Sequence, residues 1–202
     1  MSKDHWENIY ATKSMQQVSW FQKVPRTSLE LIQQVTKDKN ESIIDIGGGD
    51  GFLVDNLLEL GYTDITVLDI SKNSIDRAKK RLGNLAKKVK WIVSDITEFL
   101  PKQEYVVWHD RAVFHFLTKQ KDKENYCELL NSAVNSYFIL ATFSNEGPSK
   151  CSGLEVCNYG KKGIQALFSV NFSVVSSFMY NHPTPFGTYQ SFLFTVFNKI
   201  NE

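Results

Sequence analysis

The sequence predicts an α/β fold, with a mostly parallel sheet between two layers of helices and an antiparallel hairpin at the end. Short β-branched runs alternate with helical periodicity through most of the chain, which is the pattern of parallel strands joined by helical crossovers. Two further β-rich runs, 172–180 and 191–197, have only a loop between them. Strands that are joined without a helix pair antiparallel, so the chain should close with a hairpin.

The composition indicates a single globular domain, 1–202. Of the 202 residues 42% are hydrophobic and 13% aromatic, which is enough for a core and excludes a disordered chain. The formal net charge of +1 gives no strong field toward nucleic acid or an acidic membrane surface. No apolar run approaches the roughly 20 residues of a membrane span, and residues 1–7 lack the apolar core of a signal peptide. With an odd number of cysteines, we expect a cytoplasmic protein with reduced thiols, as a monomer or weak dimer.

Local signals place the elements in order along the chain. Pro25 suits a helix start, Gly61 a helix end and Ser71 a helix N-cap. The segment 145–158 has the composition of a loop. The expected helices are 26–37, 52–60, 72–82, 126–133 and 161–168, and the expected strands before the hairpin are 42–46, 65–70, 89–93, 105–108 and 137–143.

The chain is organised around the glycine turn, residues 47–51. A short apolar strand ends in it, and an amphipathic helix begins at Phe52. Glycine lets the backbone turn sharply and lets a ligand approach the main chain closely. The helix start adds unpaired N–H groups and a partial positive charge. We therefore expect a nucleotide-like cofactor to lie over this turn.

Acidic residues end the next three expected strands. They are Asp69, Asp95 and Asp110, the last of which follows His109. Because ligands of an open parallel sheet bind at the carboxyl ends of the strands, we expect these side chains to meet near the glycine turn. Asp69 lies 20 residues after Gly49, which is the spacing at which an acid accepts hydrogen bonds from ribose hydroxyls.

The same acid occurs in nicotinamide dinucleotide enzymes, so the glycine pattern must discriminate. A dinucleotide fingerprint has a third small residue that permits close packing of helix and strand. Phe52 occupies that position here, and its ring obstructs such packing. The sequence therefore disfavours a dinucleotide.

The motif Asp45-x-Gly47-x-Gly49-x-Gly51, with acids after the next two strands, resembles the class I S-adenosylmethionine-dependent methyltransferases. The resemblance covers about residues 40–200. It implies a three-layer αβα Rossmann-like fold, with a mostly parallel seven-stranded sheet that is closed by one antiparallel strand.

The resemblance also implies S-adenosyl-L-methionine as the cofactor and assigns roles to its neighbours. Gly47 and Gly49 would pass under the methionine and ribose parts, and Asp45 would help to orient the amino group through the turn. The implied adenosine contacts are Asp69 on the ribose hydroxyls, Ile70 on adenine, Asp95 on the adenine amino group and Ile96 beside it.

Residues 1–24 bring aromatic side chains into a polar segment that has no long apolar face. The segment resembles a leader of small bacterial methyltransferases and of thiopurine-type and lysine-modifying enzymes. Two interpretations stay open, a flap packed on the core and a lid over the cofactor. As a lid, it would place Trp6, Tyr10, Ser19 and Trp20 against the ligand.

Methyl transfer from a sulfonium depends mainly on positioning, and a general base is needed only when the nucleophile arrives protonated. Asp110 and His115 are the candidates for base or substrate orienter, on or just beyond the fourth strand. Along a strand, His109 and Asp110 point opposite ways, and we expect Asp110 to face the site. For His115 the alternative is a core residue with satisfied hydrogen bonds.

The stretch after the fourth strand narrows the acceptor class. His109-Asp110-Arg111-Ala112 differs from the Asn/Asp-Pro-Pro-Tyr/Phe stretch of enzymes that act on DNA amino groups, and no paired glutamates of the protein arginine type are present. Together with Trp108 it resembles the Trp-x-Asp-Arg-Gly stretch of the thiopurine type, except for alanine in place of glycine.

The chain length leaves little for a separate substrate domain, which favours a small-molecule acceptor over a protein acceptor. A protein lysine acceptor and a non-catalytic S-adenosylmethionine-binding protein stay open as alternatives. Cys151 and Cys157 have no ligand-spaced histidine nearby, so no metal is predicted. The acceptor pocket should be built from residues 1–24, 109–117 and 145–158.

Overall fold

The computed structural model describes residues 2–200; residue 1 and residues 201–202 of the predicted domain lie outside the described residues. The α-helices are α1 Lys3–Thr12, α2 Arg26–Val35, α3 Leu53–Glu59, α4 Lys72–Leu82, α5 Gln120–Ala133 and α6 Lys161–Phe168. The strands are β1 Ile43–Ile46, β2 Ile65–Asp69, β3 Val89–Val93, β4 Tyr105–Arg111, β5 Val134–Phe143, β6 Lys150–Cys151, β7 Leu154–Glu155, β8 Phe172–Pro183 and β9 Tyr189–Lys199. Short 3₁₀ turns cover Met15–Gln17, Gly83–Lys88 and Phe114–Phe116.

Seven of the strands form one sheet in the order β3-β2-β1-β4-β5-β9-β8. Strands β1 to β5 pair in parallel, and β9 pairs antiparallel with both β5 and β8. The predicted fold class is therefore confirmed, including the closing hairpin. Strand order reverses between β1 and β4, which places a ligand-binding crevice at the carboxyl ends of these two strands.

Successive residues of the central strands enter cores on opposite faces of the sheet. Ile43 and Val107 pack with α2, α3 and α4, whereas Ile44 and Trp108 pack with α5 and α6. All four side chains are fully buried. The alternation follows from the two-residue period of a strand. Because both faces are covered, the central strands are mostly apolar until their carboxyl ends, where Asp45, Asp69 and His109 lie.

The structure corrects three local expectations. Residues 3–12 form the helix α1, although no helix is predicted there. Strand β4 continues to Arg111 instead of ending at residue 108, since His109 and Asp110 are buried with hydrogen-bond partners. The expected loop 145–158 contains the small β6–β7 hairpin.

The helices also bear on the membrane question. Among the described residues, every helix is too short or too polar to cross a lipid bilayer.

Candidate active site

A cavity lies at the carboxyl edge of the sheet, where the strand order reverses. Its wall contains residues from the glycine turn, from the ends of β1, β2, β4 and β5, from the start of β9 and from the N-terminal segment. β9 runs antiparallel, so its start lies at the same edge as the ends of the parallel strands. All three segments expected to build a pocket, 1–24, 109–117 and 145–158, contribute to this wall.

The glycine turn has a backbone that only glycine fits without strain. Gly47 and Gly49 have φ angles of 66° and 50°, which side chains of L-residues rarely adopt. A Cβ on Gly47 would clash with the side chain of Val113, and one on Gly49 would lie 2.8 Å from the Tyr10 hydroxyl and 2.9 Å from Asp69 Oδ2. Gly47 lines the cavity, while Gly49 lies beside the wall and leaves room for the pair Tyr10 and Asp69.

Asp69 stands where the sequence places it, at the end of β2 and in the cavity wall. Its Oδ1 accepts a hydrogen bond from the backbone N–H of Ser71 at 2.7 Å, which fixes the direction of the carboxylate. The side chain is 5% exposed, and burial raises the pKa of Asp69 to about 7. Ile70 follows it in the same wall, as expected.

The end of β3 meets the expectation only in part. Ile96 is buried and lines the cavity, together with Ser94. Asp95 is not part of the wall, and its Oδ1 accepts hydrogen bonds from the backbone N–H and the hydroxyl of Thr97 at 3.0 and 2.8 Å.

Asp45, His109 and Ser28 form a buried hydrogen-bonded chain in the wall. Asp45 Oδ1 lies 2.7 Å from His109 Nδ1, and His109 Nε2 lies 2.9 Å from the Ser28 hydroxyl. A carboxylate oxygen accepts, so Nδ1 donates to Asp45, whereas the Ser28 hydroxyl can either donate to Nε2 or accept from it. The expectation that Asp110 faces the site in place of His109 is therefore wrong: His109 faces it.

Asp110 lies on the opposite face of β4, outside the cavity wall, and is fully buried. Its carboxylate accepts hydrogen bonds from the backbone N–H groups of Val113 and Phe114 at 2.9 and 3.3 Å and from the Tyr126 hydroxyl at 2.6 Å. Burial raises the pKa of Asp110 to about 6 despite these bonds. The carboxylate thus stabilises the turn after β4 through these hydrogen bonds.

His115 also lies outside the wall, in the core beside Phe116 and Phe143. Its Nδ1 accepts a hydrogen bond from the backbone N–H of Phe143 at 3.2 Å, and its Nε2 is buried without a hydrogen-bond partner among residues 2–200. Burial, together with the charge of Arg111, lowers the pKa of His115 to about 3. The imidazole is neutral at pH 7 and does not reach a bound molecule in the cavity.

The N-terminal segment brings Trp6, Tyr10 and Trp20 into the wall, whereas Ser19 stays outside it. The Trp6 ring lies 6.0 Å from the Trp20 ring and 5.2 Å from the Phe116 ring, both edge to face. These rings cover the outer side of the cavity.

Helix α1 is held to α4 by a charged side chain from each helix, Glu7 of α1 and Arg77 of α4. The Glu7 carboxylate accepts hydrogen bonds from the Ser71 hydroxyl at 2.7 Å and from the backbone N–H groups of Lys72 and Asn73 at 2.8 and 3.0 Å. It therefore caps the positive N-terminus of a helix from outside. Arg77 of α4 donates in return to the carbonyl of Tyr10 at 2.9 Å.

Several wall residues are not among the predicted ones. Phe143 ends strand β5, so the strand-end rule applied to every strand would have found it, whereas Arg111 lies within the predicted segment 109–117. Ser28 lies on α2 and Phe192 on β9, and only the folded strand order brings them to the cavity. Among residues 2–200 no group of three or more histidine, cysteine, aspartate and glutamate side chains could hold a metal ion.

Comparison with known proteins gives both domain and fold. Residues 43–135 match the family model described as a methyltransferase domain. The eEF1A lysine and N-terminal methyltransferase of Mus musculus is 29% identical over 99 residues, which is 48% of this chain and 14% of that protein. The malonyl-[acyl-carrier protein] O-methyltransferase of Anoxybacillus flavithermus is 34% identical over 83 residues, 40% of this chain and 31% of that protein. The chain spans less than a third of the length of these curated relatives.

Solved structures extend the likeness over nearly the whole chain. The N-methyltransferase NodS of Bradyrhizobium japonicum, in complex with S-adenosyl-L-homocysteine, has a TM-score of 0.73 at 12% identity and covers 98% of both chains. At that identity the likeness concerns the fold. Residues 43–135 are thus similar to a methyltransferase domain, and the chain has the same seven-stranded fold as this solved methyltransferase.

Proposed function

We propose that the protein is an S-adenosyl-L-methionine-dependent methyltransferase that acts on a small-molecule nucleophile. One observation carries the proposal: the same cavity has walls at the glycine turn with Asp69 and at the ends of β4 and β5 with the start of β9. Methyl transfer needs a donor and an acceptor held side by side in line, and this cavity offers adjacent space for the two.

The cofactor half of the cavity is the wall formed by the glycine turn and the ends of β2 and β3. Its fit to S-adenosyl-L-methionine rests on Asp69, which lies in the wall, and on Gly49, where a Cβ would lie 2.9 Å from Asp69 Oδ2 and crowd the carboxylate. Ile70 and Ile96 offer apolar contacts to adenine, and Ser94, the neighbour of Asp95, contributes to the wall after β3 in its place. When bound, the cofactor supplies an activated methyl group with its leaving group already in place.

The acceptor half of the cavity is the wall formed by Arg111, Phe116, Phe143, Cys151 and Phe192. Its rings exclude water and leave few polar groups to hold an acceptor. Burial raises the pKa of the Cys151 thiol to about 11, so the thiol stays neutral at pH 7. These residues act by shape and position, and we assign the chemical step mainly to positioning.

We do not carry the predicted base roles of Asp110 and His115 into this proposal, because neither side chain reaches the cavity wall. His109 does reach it, with Nδ1 held by Asp45 and Nε2 by Ser28.

A protein lysine is the second candidate acceptor, since two curated relatives are named eEF1A lysine and N-terminal methyltransferases. The acceptor half, however, contains the cationic Arg111 among aromatic rings. A lysine side chain brings a positive charge of its own, so we favour the small molecule.

The test is transfer of a radiolabelled methyl group from S-adenosylmethionine to the small-molecule and protein fractions of a cell extract. We expect label in the small-molecule fraction, accompanied by release of S-adenosylhomocysteine. Asp69→Ala should abolish the transfer, whereas Glu30→Ala, at an exposed position of α2, should leave it unchanged. Label confined to protein would favour the lysine candidate, and tight cofactor binding without any transfer would favour a binding-only protein.

A further inference from the structure

Arg111 stands out in the acceptor half of the cavity because it is a partly buried cation in an aromatic wall. Its guanidinium carbon lies 5.4 Å from the centroid of the Phe192 ring. Both Nη1 and Nη2 point at a single acceptor, the backbone carbonyl of Trp20, at 3.3 Å each. These distances are longer than the 2.9–3.0 Å of a typical N–H···O bond, so the two bonds are weak.

The guanidinium lies on the side of β4 that faces away from the glycine turn. Phe192 belongs to β9, which is separated from β4 by β5, and it pairs with Phe143 at the end of β5. The glycine turn follows β1, which flanks β4 on its other side. The cation therefore belongs to the acceptor half and not to the cofactor half.

No carboxylate of residues 2–200 lies within ion-pair distance of Arg111. The carboxylate with the strongest effect on it is Asp45, whose charge raises the pKa of Arg111, but Asp45 makes its 2.7 Å contact with His109 and none with Arg111. Burial and the arginine charge lower the pKa of His115 to about 3 and that of His182 to about 4, so both rings are neutral at pH 7. Burial lowers the pKa of Arg111 itself to about 10, which still leaves it charged.

A guanidinium has five N–H donors arranged to hold a planar oxyanion with two parallel bonds. A partly buried cation without a direct ion-pair partner is costly in free energy, and an incoming anion relieves that cost. The rings of Phe116, Phe143 and Phe192 around it offer contacts to an apolar body.

We propose that Arg111 is the anion-binding subsite for the acceptor, and that the acceptor is a small aromatic or apolar acid whose carboxylate pairs with this guanidinium. The inference rests on the proposed function, because it assumes that a methyl acceptor binds in this half of the cavity, and it goes beyond that function by naming the substrate class. It also gives a physical reason against a lysine acceptor, since two cations would repel in a poorly solvated cavity.

The experiment measures the binding of matched acid and amide pairs to the protein by calorimetry. The probes are benzoate, phenylacetate and indole-3-acetate, each against its primary amide, with and without saturating S-adenosylhomocysteine. For at least one pair we expect the acid to bind the natural protein at least tenfold more tightly than the amide. In Arg111→Met this preference should fall below threefold, and Arg111→Lys should retain part of it.

Three results would overturn the proposal. The first is the absence of any acid preference in the natural protein, and the second is its survival in an Arg111→Met variant with an unchanged melting temperature. The third is a tenfold loss of S-adenosylhomocysteine affinity in Arg111→Met while 5′-methylthioadenosine, which lacks the amino-acid part, binds as before. That pattern would assign the cation to the carboxylate of the cofactor.

The titrations without S-adenosylhomocysteine separate this proposal from the proposed function. If S-adenosylhomocysteine does not bind the natural protein at all, the methyltransferase assignment fails. The preference of the protein for each acid over its amide, and its loss in Arg111→Met, can be measured in either case.

Discussion

At the scale of single residues, strand β4 shows how one step along a strand decides a role. His109, Asp110 and Arg111 are consecutive, and the outer two line the cavity while the middle one points into the opposite core. The sequence shows that one of His109 and Asp110 faces the site, but not which one. That choice depends on the contacts of Asp110 with the turn after β4 and with Tyr126 of α5, and the contact with α5 forms only in the folded protein.

Asp110 should matter for stability more than for binding. Asp110→Ala leaves two backbone N–H groups and the Tyr126 hydroxyl without their acceptor, which should lower the free energy of unfolding by on the order of 3 kcal/mol. Chemical denaturation measures the loss, and calorimetry should find S-adenosylhomocysteine affinity changed less than threefold. Asp110→Asn, which keeps an acceptor oxygen, should lose less stability. A hundredfold loss of turnover in a stably folded Asn variant would restore the catalytic role.

His115 should make the protein less stable in acid. Its lowered pKa means that the folded state leaves the ring neutral while the unfolded chain binds a proton below about 6.5. The stability from this residue is thus complete above pH 6.5 and is lost toward pH 3, by up to about 1.4 kcal/mol per pH unit.

The raised pKa values of Asp69 and Asp110 act in the opposite direction, because these folded carboxyls hold a proton up to about pH 7 and 6. The difference between natural protein and His115→Gln therefore isolates the histidine. Denaturation at pH 7 and pH 5 should move this difference in favour of the variant at the lower pH. An unchanged difference would mean that the ring is not held neutral.

At the scale of elements, α1 is the helix that sequence reasoning missed. Its buried side chains Trp6, Ile9 and Tyr10 have helical spacing, but the stripe is only about one turn long. Isolated helices of this length are marginal in water, so its stability comes from tertiary contacts. Those contacts, the caps between α1 and α4, are invisible in local periodicity.

Loosening the contacts between α1 and α4 should open the outer wall of the cavity. Glu7→Gln removes the charge that faces the N-terminus of α4, so α1 should exchange its amide hydrogens faster and S-adenosylhomocysteine affinity should fall by about three- to tenfold. Asp4→Asn is the matched control, because Asp4 has the same charge on the same helix and is exposed. Equal exchange rates in both variants would show that α1 is held by its aromatic packing alone.

At the scale of the whole molecule, the sequence predicts the fold class better than the cavity. Alternating strand and helix patterns are local, and each strand of the main sheet overlaps its predicted range. The strand order is not local, and it alone brings Ser28 and Phe192 to the same cavity as the glycine turn. The single-domain organisation, the monomer or weak dimer and the cytoplasmic location remain predictions.

The central claim is that the cavity holds S-adenosylmethionine through Asp69, and calorimetry with S-adenosylhomocysteine and NAD tests it most directly. We expect S-adenosylhomocysteine to bind and NAD to show no binding. Asp69→Asn should weaken the binding of S-adenosylhomocysteine by at least tenfold, since a charge-assisted bond pair to ribose is lost. Because the pKa of Asp69 is about 7, affinity in the natural protein should rise between pH 6 and pH 8, and in the variant it should not. Binding of NAD alone, or equal affinity for S-adenosylhomocysteine in the natural protein and the variant, would contradict the account.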